Sequence, residues 1–288
     1  MIHVKYESLM IEKRDASAEV SVGKLIDIER VIASKNEKLL KWLPSFILKY
    51  LKRIIHQDLI NNFLVQEKDR YGLDFVEAIL THFGVKVTVE GAENIEAHKR
   101  LIIAANHPIG GMDGIALMHV AGRCRKDIQF PVNDLLMNIP NLKELFIPIN
   151  KHGSNMENAR IIDRAFEGDK MMLYFPAGLV SRKQSGKIID LEWKKTFIRK
   201  AKTYKRDIIP TYISGLNSPW FYNLALWRKR LGISANLEML YLVDEMVKQK
   251  GKEINIKFGK AIPYQTFDRS KKDIQWAAEV KDTVYQIK

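Results

Sequence analysis

The chain reads in two rhythms. From about Val20 to Leu80 apolar residues recur three and four apart with few glycines, the period of helices that bury one face. From Val85 the rhythm changes to short runs of β-forming residues at 85–89, 101–105, 128–132, 145–149, 171–175, 208–213 and 254–258, separated by helix-length stretches. Strands alternating with helices predict an α/β fold. One helix start is marked by Ser154-Asn155-Met156-Glu157, a capping-box spacing at the head of a segment that runs to about Phe166 and stops at Gly168-Asp169. Neither an internal repeat nor a Pro/Gly/Ser-rich linker interrupts the chain. The expected organisation is a helical N-terminal appendage over 1–82 attached to one α/β domain over 83–288.

Within the helical part, residues 36–63 have a composition of their own. At 100° per residue Lys38, Lys41, Ser45, Lys49, Lys52 and His56 share one narrow face, and Leu39, Leu43, Ile47, Tyr50, Leu51 and Ile54 lie opposite. Pro44 lacks an amide hydrogen, so the continuous helix is expected to begin there. The pattern suits an interfacial helix, with Trp42, Phe46 and Tyr50 at headgroup level and Lys41, Lys49, Lys52 and Arg53 on anionic phosphates. It equally suits a surface helix with a solvated lysine face. A second aromatic run, 218–230, passes straight into Arg228-Lys229-Arg230 and has the same two readings, interface or buried helix with a cationic end.

Charge narrows the partners. A formal net charge of +13 favours an anionic one: nucleic acid, anionic lipid or a phosphorylated cofactor. Nucleic acid is the poorest fit, since no helix-turn-helix pattern, zinc-finger spacing or RNA-binding aromatic signature accompanies the charge. The single Cys124 allows no intramolecular disulfide, as expected in a reducing compartment. Charges interrupt every apolar run of MIHVKYESLMIEKRD, and no apolar stretch of spanning length follows. A cytoplasmic protein, peripheral on the inner face of the cytoplasmic membrane, is the expected location.

The stretch from Leu101 to Gly114 carries the most chemistry. A buried strand, Leu101-Ile102-Ile103-Ala104-Ala105, runs into Asn106-His107-Pro108-Ile109-Gly110-Gly111-Met112-Asp113. That places His107 at the carboxyl end of a strand, where crevices form in α/β sheets, and the glycines let the backbone curl so that Asp113 approaches it. A carboxylate on one imidazole nitrogen fixes the tautomer and leaves the other basic, a positioned general base. No second His or Cys stands at ligand spacing, so no metal is expected. A further strand, Met171 to Phe175, ends in Pro176-Ala177-Gly178, whose amides could meet an anion, with Arg182 and Lys183 following. Ser181 lacks the Gly-x-Ser-x-Gly surroundings of a hydrolase nucleophile.

These two stretches, in this order, resemble the Asn-His-x-x-x-x-Asp and Phe-Pro-Glu-Gly-Thr-Arg motifs of the glycerolipid and lysophospholipid acyltransferase superfamily. Phe146 to Lys151 is similar to the middle motif, Ile209-Pro210-Thr211 to the fourth, and Ile254 to Gly259 to the last strand. The resemblance covers about Phe83 to Pro263. It implies a mixed, largely parallel β-sheet flanked by helices, and an acyl carrier protein or coenzyme A thioester as donor with no bound cofactor. It assigns His107 as base and Asp113 as its orienting partner. Asn106, Phe175, Pro176, Gly178 and Lys151 fall at the substrate, with amides near Gly178 and Lys151 on the oxyanion and Arg182 and Lys183 on an anionic group.

Two departures are visible. Five residues separate His107 from Asp113 where most members have four, so the turn must bulge. Ala177 stands where the family has glutamate, and the arginine is displaced by two positions to Arg182, which weakens the case for a glycerol-phosphate acceptor. Both departures are similar to a branch labelled as haemolysins that resembles the O-acyltransferases of amino-acid lipids such as lyso-ornithine or lyso-glycine lipid. The expected activity is transfer of a fatty acyl chain to the hydroxyl of a lyso-lipid. The alternatives are a 1-acylglycerol-3-phosphate acyltransferase and, in another class, a non-catalytic basic membrane-binding protein.

Overall fold

A computed structural model describes residues 26–96, 100–133, 136–149 and 155–288. Among the described residues nine strands form: β1 (Lys86–Glu90), β2 (Leu101–Ala105), β3 (Ile128–Asn133), β4 (Phe146–Ile149), β5 (Met171–Tyr174), β6 (Arg182–Gln184), β7 (Lys187–Ile189), β8 (Asp207–Ile213) and β9 (Glu253–Phe258). Seven of them make one sheet in the order β1-β9-β8-β2-β5-β3-β4, while β6 and β7 pair apart as a hairpin. Every neighbouring pair in the large sheet is parallel except β8 and β9. The sheet is thus mixed and largely parallel, as expected. The hairpin was not legible in the pattern, because Arg182-Lys183-Gln184-Ser185-Gly186-Lys187 reads as a polar loop.

Burial explains the central strands. Every side chain of β2 is buried, as a parallel strand covered on both faces requires. Successive residues alternate between layers: Leu101, Ile103 and Ala105 join one core, and Ile102 and Ala104 join another with Phe166, Trp193, Phe197 and Ala277. Helices Gly111–Cys124 and Gly72–Phe83 cover the first face, and Asn155–Glu167, Thr196–Tyr204 and Asp273–Gln286 supply the second.

The expected boundary at residue 82 falls inside a core. Phe63, Leu64, Phe75, Val76, Ile79 and Phe83 pack in the same cluster as β2, so helices Gln57–Gln66 and Gly72–Phe83 are a layer of the α/β unit. Pro44 does stand at the start of a helix, as the N-cap of Ser45–Ile54. The capping serine Ser154 lies outside the described residues, although a helix begins at Asn155. No helix among the described residues is long and apolar enough to cross a membrane.

Candidate active site

Strands β2, β5 and β8 are parallel neighbours, so their carboxyl ends open along one edge of the sheet. Asn106, the first residue beyond β2, donates from Nδ2 to the Ile213 carbonyl at 2.9 Å and accepts from the Ile213 amide at 2.6 Å. This corrects the expectation that Asn106 faces substrate. Its buried amide prolongs the β2–β8 ladder by one rung and holds the strand end from which His107 projects.

The longer His-to-Asp turn is accommodated at Gly110, whose φ of 116° and ψ of −126° belong to a region that side chains exclude. Helix Gly111–Cys124 starts directly after it and carries Asp113 in its first turn. His107 Nδ1 lies 2.9 Å from Asp113 Oδ2, and the same oxygen accepts the amides of Ile109 at 2.9 Å and Gly110 at 3.0 Å. With Nδ1–H donating to the carboxylate, Nε2 keeps its lone pair. Asp113 is wholly buried, and burial pushes its carboxyl above the ordinary range against the opposing pull of the His107 hydrogen bond. The His107 side chain retains 17% exposure, enough for a substrate hydroxyl to reach it.

The second stretch closes over this histidine. The Phe175 ring stacks on the His107 ring with centroids 4.1 Å apart and planes 16° from parallel, and Phe130 meets Phe175 edge-on at 5.2 Å. Pro176 is buried and accepts the Lys194 amide at its carbonyl. Gly178 turns with φ +65°, and its amide donates to the Phe175 carbonyl at 3.0 Å. That corrects the expectation for Gly178: its N–H closes the turn and is not presented to an oxyanion. Arg182 is corrected as well. Its guanidinium is buried, donates to the Val180 carbonyl at 2.6 Å, and pairs with Glu238 at 2.9 Å, which also binds Arg228 at 2.9 Å. An arginine held this way braces the hairpin against the turn near 238 and has no charge to offer a ligand. Lys183 is exposed on the hairpin, and Lys151 lies outside the described residues.

One residue that holds His107 in place escaped the sequence reading. Asp190, entirely buried, accepts the His107 amide at 3.1 Å and the Ser181 hydroxyl at 2.6 Å on Oδ1, and the Trp193 indole at 2.8 Å on Oδ2. The Ser181 amide in turn donates to the His107 carbonyl at 2.7 Å. The main chain of His107 is therefore gripped on both sides by the segment 181–190. The available signal was a carboxylate set among Ile188, Ile189, Leu191 and Trp193, an apolar setting in which a charge needs partners.

The proposed membrane residues are less uniform than their helical pattern. Trp42, Phe46 and Tyr50 are exposed, as are Lys41, Lys49 and Arg53. Lys41 pairs with Glu37 at 2.7 Å, and Arg53 lies 5.2 Å above the Tyr50 ring. Lys52 departs from the expected free cation, being partly buried and paired with Glu29.

The model of the family described as acyltransferase matches residues 30–286. The chain belongs to the acyltransferase family. This acyltransferase, of the class moving groups other than aminoacyl groups, is 48% identical over 265 residues to the lyso-glycine lipid O-acyltransferase of Bacteroides thetaiotaomicron, covering 91% of this chain and 97% of that one. It is 45% identical to the lyso-glycine lipid O-acyltransferase of Phocaeicola vulgatus, covering 91% and 95%. A crystal structure of the 1-acyl-sn-glycerophosphate acyltransferase from Thermotoga maritima aligns with a TM-score of 0.48 at 18% identity, covering 73% of this chain and 75% of that one.

Proposed function

We propose that this acyltransferase moves a fatty acyl chain from an acyl carrier protein or coenzyme A thioester to the hydroxyl of a lyso-lipid, with a lyso-glycine-type lipid as the leading acceptor. The observation that carries the chemistry is the contact of His107 Nδ1 with the buried Asp113 carboxylate, which leaves Nε2 as the free base of a side chain that is 17% exposed. The acceptor is supported by the names of the two relatives that align over nearly their whole length.

In this reading Nε2 takes the proton of the acceptor hydroxyl as its oxygen attacks the thioester carbonyl. The tetrahedral oxyanion collapses, the C–S bond breaks as the C–O bond is retained, and the imidazolium returns its proton to the departing thiolate. Asp113 holds the ring and offsets the transient positive charge. No acyl-enzyme forms, and Ser181 is tied to Asp190 rather than to His107 Nε2.

A glycerol-phosphate acceptor is the second reading, and the inward pairing of Arg182 weighs against it. We place the enzyme peripherally on the inner face of the cytoplasmic membrane, where its lipid acceptor resides, with Trp42, Phe46 and Tyr50 towards the lipid.

The test offers purified enzyme acyl carrier protein and coenzyme A thioesters against lyso-glycine, lyso-ornithine and 1-acylglycerol-3-phosphate acceptors, comparing wild type with His107→Ala. The expected result is a diacylated amino-acid lipid from wild type alone. Equal product from both proteins would remove the base, and product only from the glycerol phosphate would reverse the acceptor. Vesicle binding without any transfer would leave a non-catalytic membrane-binding protein.

A further inference from the structure

The exposed aromatics of two segments far apart in sequence form a single surface. Tyr50, on helix Ser45–Ile54, hydrogen-bonds through its hydroxyl to the Tyr241 hydroxyl at 2.5 Å. The Tyr241 ring meets Trp220 at 6.2 Å, and Trp220 meets Trp227 at 5.9 Å, both on helix Pro219–Arg230. Large apolar side chains on or next to the same helices in sequence are also turned to solvent: Trp42 is 82% exposed, Phe46 67% and Leu231 75%, with Trp220 and Trp227 themselves at 45% and 49%. Apolar side chains this exposed and this close together mark a docking surface.

Its charge selects the occupant. No Asp or Glu occurs between 38 and 57 or between 219 and 237, whereas Lys49, Arg53, Lys229 and Arg230 are exposed there. The acid that follows, Glu238, is buried between Arg182 and Arg228 and adds no negative field at the surface. A second copy would bring the same cations against this face in a chain of net charge +13. Indole and phenol rings bordered by lysine and arginine match the headgroup zone of an anionic bilayer, where each ring finds both apolar and wet surroundings.

We infer that helix Pro219–Arg230 and the turn Leu237–Tyr241 join helix Ser45–Ile54 in one composite face that docks on an anionic bilayer. The helix Leu242–Val247, which follows that turn, reaches the catalytic bend: Leu242 Cδ2 and Met246 Sδ lie 3.1 and 3.3 Å from where side chains on Gly110 and Gly111 would begin. Docking therefore sets a lipid surface one helix away from the His107–Asp113 turn. The inference rests on the lipid-acceptor reading for its purpose, while the surface is tested without substrate.

Full-length enzyme is sedimented with vesicles of phosphatidylcholine, with and without phosphatidylglycerol. Lys229→Glu/Arg230→Glu is expected to lower partitioning onto the anionic vesicles more than tenfold, since each cation near such a surface contributes roughly fivefold. Trp220→Ala/Trp227→Ala and Trp42→Ala/Phe46→Ala are each expected to lower it on the order of tenfold. Acylation of a vesicle-borne acceptor should fall in parallel, with turnover of a short-chain soluble acceptor unchanged. Wild-type binding by both variants of helix Pro219–Arg230 would overturn the composite face. So would a dimer that these variants dissociate in sedimentation velocity, or an acidic protein that they release while vesicles are ignored. Vesicle binding lost in the variants, with no acceptor acylated by wild type, would uphold the face and reject the lyso-lipid reading.

Discussion

The buried carboxylate of Asp190 accepts the main-chain N–H of His107 at 3.1 Å, although the two residues lie in different loops 83 positions apart. The same oxygen takes the Ser181 hydroxyl, so one aspartate locks the proposed base to the loop that stacks Phe175 upon it. Asp190→Asn keeps an acceptor for His107 but turns an amide toward the Trp193 indole, and is expected to cost about 1–3 kcal/mol. Because Asp190 positions His107 without touching substrate, kcat should fall roughly tenfold with KM nearly unchanged. Asp190→Ala should fall further on both counts. Steady-state kinetics with thermal melts check this, and a change confined to KM would contradict it.

Asp113 separates activity from stability. Asp113→Asn is expected to lower kcat by about three orders of magnitude, because Asn no longer holds the required tautomer or supports the imidazolium. Burial raises the folded-state pKa of this carboxyl, so its contribution to stability is complete below its unfolded value near pH ~4 and is lost as pH rises through the folded one. The Asn variant lacks that loss. Its melting temperature relative to wild type should therefore climb as pH is raised from about 4 towards neutrality, and a flat difference across that range would contradict the burial argument.

Gly110→Ala tests the lengthened turn. A Cβ there would sit 3.1 Å from Leu242 Cδ2 on a backbone with φ +116°. The expected cost is about 1–3 kcal/mol in unfolding free energy, with kcat reduced because the amides of Ile109 and Gly110 no longer both meet Asp113. Chemical denaturation and kinetics read the two effects, and a variant unchanged in both would show that the turn tolerates a side chain.

Ala177→Glu restores the residue common in the wider family, yet it should not restore a glycerol-phosphate acceptor. Ala177 is buried in the second core, beside residues such as Trp193 and Phe197. Arg182, the arginine that follows this turn, is already engaged by Glu238, so a carboxyl group there would be buried without it. A loss of about 3–5 kcal/mol is expected, read as a lowered melting temperature. Gain of 1-acylglycerol-3-phosphate acylation would contradict it.

Local patterns carried much of this protein. The seven strands of the main sheet announce themselves as β-forming runs; the central ones do so because their own side chains are buried, with β2 apolar at every position, while the edge strand β1 does so through its β-branched residues although most of its side chains are exposed. The His107-to-Asp113 contact was legible too, since six positions and two glycines confine the pair to one turn. What no local pattern holds is which distant groups fill the remaining hydrogen-bonding positions. Arg182 and Asn106 look from their neighbours like ligand contacts, yet Glu238 and the Ile213 backbone claim them. Asp190 looks like one acid among 34 until the hairpin folds it against His107. Apolar periodicity records burial, a property of each residue with its neighbours. Partners for buried polar atoms are chosen by the packed chain, so only the tertiary structure decided which charges stay free.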